Sequence, residues 1–234
     1  MLASCSNDKS IKIFNIKYNN YQLLQTLNYH NDSVYKIIEL NNKKLISCSI
    51  DSSFIIYSKD SNNKYKKDYK ITTNYACFCV IQTKENEICY DEFHTNHTYV
   101  NHSICFYDLL GQNCIKRINK IGWIRWNSFN MIAEDLLLIT GKDKLYIINV
   151  NQYNLIRIIN VTGSSDINVS CLLNKKLFLN GDDNKNIKQW VIEGNNLKLI
   201  SIKENAHDKR IYSLIKLRDG NILSGSSDGE IKIW

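Results

Sequence analysis

Apolar residues along this chain come in short runs broken by Asn, Asp, Ser, Gly and Lys, at a spacing that suits strands better than helices. Near the start, alternation predicts four strands at 33–40, 44–49, 53–58 and 65–73. At the far end it predicts three, at 210–217, 221–226 and 230–234. Tyr, Phe, Ile and Val are plentiful and Ala is scarce, a balance that fits a pleated, half-buried surface. The chain has no Pro, so its turns fall to Asn, Asp, Gly and Ser. The class is all-β.

The strands belong to a repeat. Segments 4–14, 47–57 and 224–234 share one register: Ser4, Ser47 and Ser224 stand four residues before Asp8, Asp51 and Asp228, and Phe14, Tyr57 and Trp234 stand six after. Fainter copies lie between. Tyr107 follows Ile104 and Phe106, Ile148 follows Thr140 and Asp143, and Trp190 follows Asn180 and the turn Asp182-Asp183-Asn184. The terminal positions 14, 57, 107, 148, 190 and 234 are separated by 43, 50, 41, 42 and 44 residues. A period of about 42 residues corresponds to one four-stranded propeller blade.

These motifs resemble the WD-repeat (G-protein beta-like) β-propeller family. In that family a His before a blade's first strand, a Ser or Thr on the second, an Asp in the next turn and a Trp on the third form a hydrogen-bonded tetrad. The resemblance places one tetrad at His30, Ser47, Asp51 and Tyr57 and another at His207, Ser224, Asp228 and Trp234, with His and Asp 21 apart in both. Tyr57 has no indole N–H to donate. The resemblance implies a single domain over 1–234 with six recognisable four-stranded repeats. The first begins at its second strand and the last stops after its third, so the chain is expected to be a fragment of a six- or seven-bladed ring.

Charge changes this picture little. The net charge of +7 comes from 25 Lys and 5 Arg against 23 acids, and the lysines are spread along the chain. A nucleic-acid footprint is normally clustered and richer in Arg. RNA association through the Lys excess is therefore the alternative reading, not the leading one. Eight Cys with no Cys-x-x-Cys pair suit a reduced interior, and a cytoplasmic or nuclear place is expected. No apolar run reaches the roughly 18 residues of a membrane span.

Candidate chemistry is sparse. His94, His97 and His102 fall within nine residues of the longest repeat, near Asp91 and Glu92, and converging imidazoles would suit zinc. The segment is polar and without rigid spacing, so a solvated hairpin extension is expected, with no metal or cofactor. Asp8, Asp51, Asp143 and Asp228 are repeat equivalents, which marks them as structural rather than as a paired acid and base. No Ser-His-Asp order or phosphate-cradling glycine loop appears, and Asn160-Val161-Thr162 is a sequon expected by chance. Neither enzyme chemistry nor a propeller hydrolase is expected. The resemblance instead implies a non-catalytic scaffold or adaptor for protein or peptide partners. These would dock around the channel mouth at Ser33, Tyr35, Ala76, Phe78, Asn168, Ser170, Arg210 and Tyr212, where Tyr and Arg are favoured anchors.

Overall fold

The computed structural model describes residues 1–17, 20–96, 99–141, 144–160, 167–193, 196–217 and 219–234. Among them there is no helix, and the strands form six antiparallel sheets, each a simple up-and-down run. The chain divides into two compact units, Met1–Lys120 and Ile121–Trp234.

The first unit opens with a three-stranded sheet of β1 (Leu2–Cys5), β2 (Ile11–Lys17) and β3 (Asn20–Leu27). A four-stranded sheet follows, made of β4 (Val34–Glu39), β5 (Leu45–Ser49), β6 (Ser53–Lys59) and β7 (Tyr65–Thr72). The third contains β8 (Val80–Lys84), β9 (Glu87–Asn96), β10 (Tyr99–Asp108) and β11 (Asn113–Ile121). In the second unit, β12 (Ile124–Ala133), β13 (Leu136–Gly141), β14 (Lys144–Asn149) and β15 (Asn154–Asn160) form the fourth sheet. The fifth has β16 (Ile167–Leu172), β17 (Leu177–Asp182), β18 (Ile187–Glu193) and β19 (Asn196–Lys203). The sixth has three strands, β20 (Ile211–Lys216), β21 (Ile222–Ser226) and β22 (Ile231–Ile233). Each strand predicted for the second and sixth repeats is present to within one residue at either end.

Middle strands read as unbroken apolar runs because both of their faces are covered. On β6, Ile55 and Tyr57 pack toward the first sheet with Ile11, Ile13 and Leu27, while Phe54 and Ile56 pack toward the third with Ile88, Tyr90 and Tyr107. The second unit repeats this. Leu145, Ile147 and Ile159 meet Phe178 and Trp190, and Val169 and Ile187 meet Ile211, Leu214 and Ile222. Burying a side chain as completely as Phe54 contributes on the order of 2 kcal/mol, so the core of each unit lies between its sheets. First strands abut: β4 lies beside β8, and β16 beside β12 and β20.

The turns follow the composition. Asp8, Asp60, Asp108, Asn149 and Asp219 each accept a backbone N–H two residues on, the local bond that lets Asx residues stand in for proline. The residue after each tetrad-position Asp is left-handed: Lys9 (φ 71°), Ser52 (φ 56°) and Gly229 (φ 89°). Of the three, Gly229 alone adopts that conformation without strain.

Candidate functional site

Both tetrads are assembled within their own units. In the sixth sheet the indole Nε1–H of Trp234 donates to Ser224 Oγ at 2.7 Å. Indole only donates, so the Ser224 hydroxyl must pass its own proton on to His207 Nε2, 2.6 Å away. That leaves the proton of a neutral imidazole on Nδ1, which donates to Asp228 at 2.9 Å. In the second sheet the order is the same, with the Tyr57 hydroxyl 3.0 Å from Ser47 Oγ, Ser47 2.7 Å from His30 Nε2, and His30 Nδ1 3.1 Å from Asp51. Tyr57 therefore closes the chain with its phenol where the other tetrad uses an indole.

The carboxylates are the hubs. Burial pushes the Asp51 carboxyl up, but Ser53, the Asn31 amide at 2.9 Å and Lys70 at 3.0 Å outweigh it and hold it well below the usual range. Asp228 is likewise depressed: burial opposes, and the amides of Glu230 and Asp208 together with His207 prevail. Desolvation lowers the His30 pKa against the pull of Asp51, which keeps that ring neutral. By contrast Asp8 binds Ser10, Ser6 and Lys12 from an exposed turn, and Ser4 is exposed. Asp143 lies outside the described residues; Thr140 is buried and bonds Ser170 Oγ at 3.1 Å.

The third sheet carries a substitute that the sequence reading missed, and the fifth builds its own from the repeat positions Asn180, Asp182 and Trp190. In the third, the expected hairpin extension is present as β9 and β10, but His102 is not solvated: it is buried on β10 with its Nδ1 3.0 Å from buried Asp91 of β9. Asp91 also accepts the amides of Phe78 (2.9 Å) and Cys79 (2.6 Å), pinning the segment that enters β8. Beside it, Arg117 pairs with buried Glu92 at 2.9 Å. In the fifth sheet Trp190 donates to Asn180, and Lys188 meets fully buried Asp182 at 2.9 Å. The available signal was periodicity: Asp91 pairs with Ile104, and His102 lies two residues along the same face.

Three of the predicted partner residues share a structural device. The pairing of β4 with β5 shifts between Val34 and Lys36, that of β16 with β17 between Ile167 and Val169, and that of β20 with β21 between Ile211 and Ser213. Tyr35, Asn168 and Tyr212 are thus the bulged residues, turned off the ladder where each first strand begins. Tyr35 and Phe78 stack edge to face at 4.8 Å, and Phe78 stacks on Phe93 at 5.1 Å; all three are half-buried. Ser33 is half-buried and Ala76 bridges Phe93. In the second unit Asn168 is buried and donates to Asp183, whose Oδ1 lies 3.5 Å from Nε of exposed Arg210. Ser170 is buried and accepts from Asn130 at 2.8 Å, so its hydroxyl is engaged inside the sheet.

Little here suits a metal. His94 and His102 occupy opposite faces of the β9–β10 hairpin, by the two-residue period of a strand, and His97 lies outside the described residues. Donor atoms of His207, Asp228 and Glu230 lie within 4.8 Å of one another. An ion there would have to displace the His207 proton that Asp228 already holds. Some lysines pair with acids, as in Lys43–Glu39 (3.1 Å), Lys44–Asp68 (2.8 Å) and Lys66–Asp60 (3.1 Å). All eight cysteines are free, and burial pushes the Cys5 thiol up to about 12. No helix among the described residues is long and apolar enough to cross a membrane.

A family model described as WD domain, G-beta repeat matches residues 198–234, the stretch that holds the indole-closed tetrad. No curated protein matches the sequence. Among solved structures, a chain in the crystal structure of the mitotic checkpoint complex is similar at a TM-score of 0.70 and 13% identity, over 99% of this chain and 70% of that one. Six antiparallel sheets of three or four strands, two tetrads and that likeness together give the chain the fold of a WD-repeat β-propeller.

Proposed function

We propose that this chain is a non-catalytic scaffold that binds protein or peptide partners through the strand ends bearing Tyr35, Phe78, Arg210 and Tyr212. The observation that carries the reading is the recurrent bulge. It turns Tyr35 and Tyr212 off their ladders at equivalent places, beside the loops that hold His30 and His207. Bulges of this kind re-aim side chains next to functional sites. Phe78 is held by two hydrogen-bonded amides around Asp91, so it meets a partner with little ordering left to lose. The similar solved chain belongs to a multiprotein complex, which supports protein partners for this fold. Eight free thiols suit a reducing compartment, and the cytoplasm is the place we assign.

The test is affinity capture from the source cells with the wild-type chain, a Tyr35→Ala/Phe78→Ala variant and an Arg210→Ala/Tyr212→Ala variant. Loss of the same proteins from one or both variants supports the reading. Retention of every partner by both, or capture dominated by nucleic acid that washes off steeply with salt, overturns it.

A further inference from the structure

Four of the first strands begin in one register. Val34 pairs with Ser49, Ile124 with Gly141, Ile167 with Asp182 and Ile211 with Ser226, each just before its ladder shifts, and all four leading residues are buried. The residue ahead of that buried position is Ser33 in the second sheet and Arg210 in the sixth, both candidate contact residues. In the fourth sheet it is Trp123. Sequence spacing hides the equivalence, because Ile124 pairs with Gly141 and Phe129 with Ile139, so that five steps along β12 face two along β13.

Trp123 is 46% exposed, although Ile124 beside it is 1% exposed. Two glycines set its backbone. A methyl on Gly122 would lie 2.6 Å from the hydroxyl oxygen of Tyr146, which is buried on β14. One on Gly141 would lie 2.9 Å from the Trp123 carbonyl oxygen and 3.0 Å from Cε2 of the same tyrosine. Neither glycine is left-handed, so what they supply is close approach: the backbone at 122–124 lies directly on β13 and the Tyr146 ring. An indole on so clamped a backbone has little freedom left to lose on binding, and tryptophan is among the residues most enriched at interface hot spots. The first strands of this unit are neighbours, β16 lying beside both β12 and β20, so Trp123, Arg210 and Tyr212 stand at the leading ends of adjoining strands.

We infer, on the footing of the function proposed above, that Trp123 is the anchor of the strand-end surface in the second unit, and that its partner is a folded protein presenting an apolar recess to the indole. With nearly half of the residue still outward, covering it takes a concave apolar surface.

The test places the photo-cross-linker p-benzoylphenylalanine at position 123 and, as a control, at position 21, where Tyr21 is 79% exposed on β3. Irradiated in a lysate of the source cells, the chain should cross-link from position 123, and not from 21, to the proteins that the Arg210→Ala/Tyr212→Ala variant fails to capture. Trp123→Ala should cut capture of those proteins at least about tenfold, Trp123→Phe should cut it less, and both should keep the wild-type urea midpoint. Undiminished capture by Trp123→Ala, where the Arg210→Ala/Tyr212→Ala variant loses its partners, overturns the role of Trp123 alone; undiminished capture by every strand-end variant overturns the scaffold reading with it. Cross-links from position 123 that reach only nucleic acid or a second copy of the chain overturn the choice of partner. A midpoint lowered in both variants would put the indole at work inside the fold and overturn the inference as well.

Discussion

Asp8 and Asp51 hold the same place in successive repeats, and exchanging each for Asn separates the turn from the tetrad. Asp51 Oδ2 receives the Asn31 amide (2.9 Å), His30 Nδ1 (3.1 Å) and Lys70 Nζ (3.0 Å), while Ser53 reaches Oδ1. Bonds to a charged acceptor stabilise by roughly 1.5–3 kcal/mol and neutral ones by about 1. Turning three of the former into the latter, with a discount for partly exposed Lys70 and for the relieved desolvation of the carboxylate, gives a loss of about 2–3 kcal/mol for Asp51→Asn. The new amide also faces Ser53, whose hydroxyl must then accept instead of donate. Asp8→Asn keeps its oxygen for the Ser10 amide, and its side chain is already 53% exposed, so its unfolding midpoint should not move measurably. Urea unfolding followed by circular dichroism gives the two midpoints, and hydrogen exchange across β5 and β6 localises the effect. Equal midpoints for the two variants would refute the claim that the His30 network, rather than the turn, makes the aspartate matter.

Acid should weaken the fold in two stages. The His30 pKa lies below 6.5 in the folded chain, so the unfolded state takes up that proton first and stability falls as pH drops through 6.5. Asp51 and Asp228 lie below 3.8, so a second loss sets in below about pH 4; a midpoint constant from pH 7 to 3 would contradict both signs. Tyr57→Phe removes the donor to Ser47 and should cost about 1 kcal/mol by urea titration, with the sheet otherwise unchanged. Gly181→Ala places a methyl 2.6 Å from Ile211 Cγ2, between β17 and β20, and should destabilise by about 1–3 kcal/mol; a neutral result would mean these strands yield more than packed sheets do. Lys9→Gly relieves a left-handed residue at φ 71° and should raise the melting temperature, a gain of up to about 1 kcal/mol.

The second and sixth repeats were legible to within one residue because their hairpin turns are marked by Asp or Asn and a left-handed residue, and because both tetrads keep a fixed His-to-Asp interval. The third repeat was not. Its carboxylate, Asp91, sits on a strand instead of in the turn, and its histidine, His102, comes from the neighbouring strand, so the same task is done with no shared spacing. Polarity misled there too: the stretch from His94 to His102 reads as solvated, yet pairing between two ten-residue strands buries His102. Bulges at Tyr35, Asn168 and Tyr212 leave no trace in a pattern of period two, since a one-residue offset at a strand's first position looks like loop. Without them the sequence placed the candidate contact residues but not the reason that Asn168 and Ser170 turn inward.

Six of the eight thiols lie inside the sheets, Cys5 is half-covered, and Cys114 stands in the open on β11. Since alkylation needs an accessible thiolate, a maleimide dye offered to the native chain should report on that single position. An outer strand of the first unit thereby comes with a built-in attachment point for a fluorophore or a tether, and no cysteine need be engineered in or removed to use it.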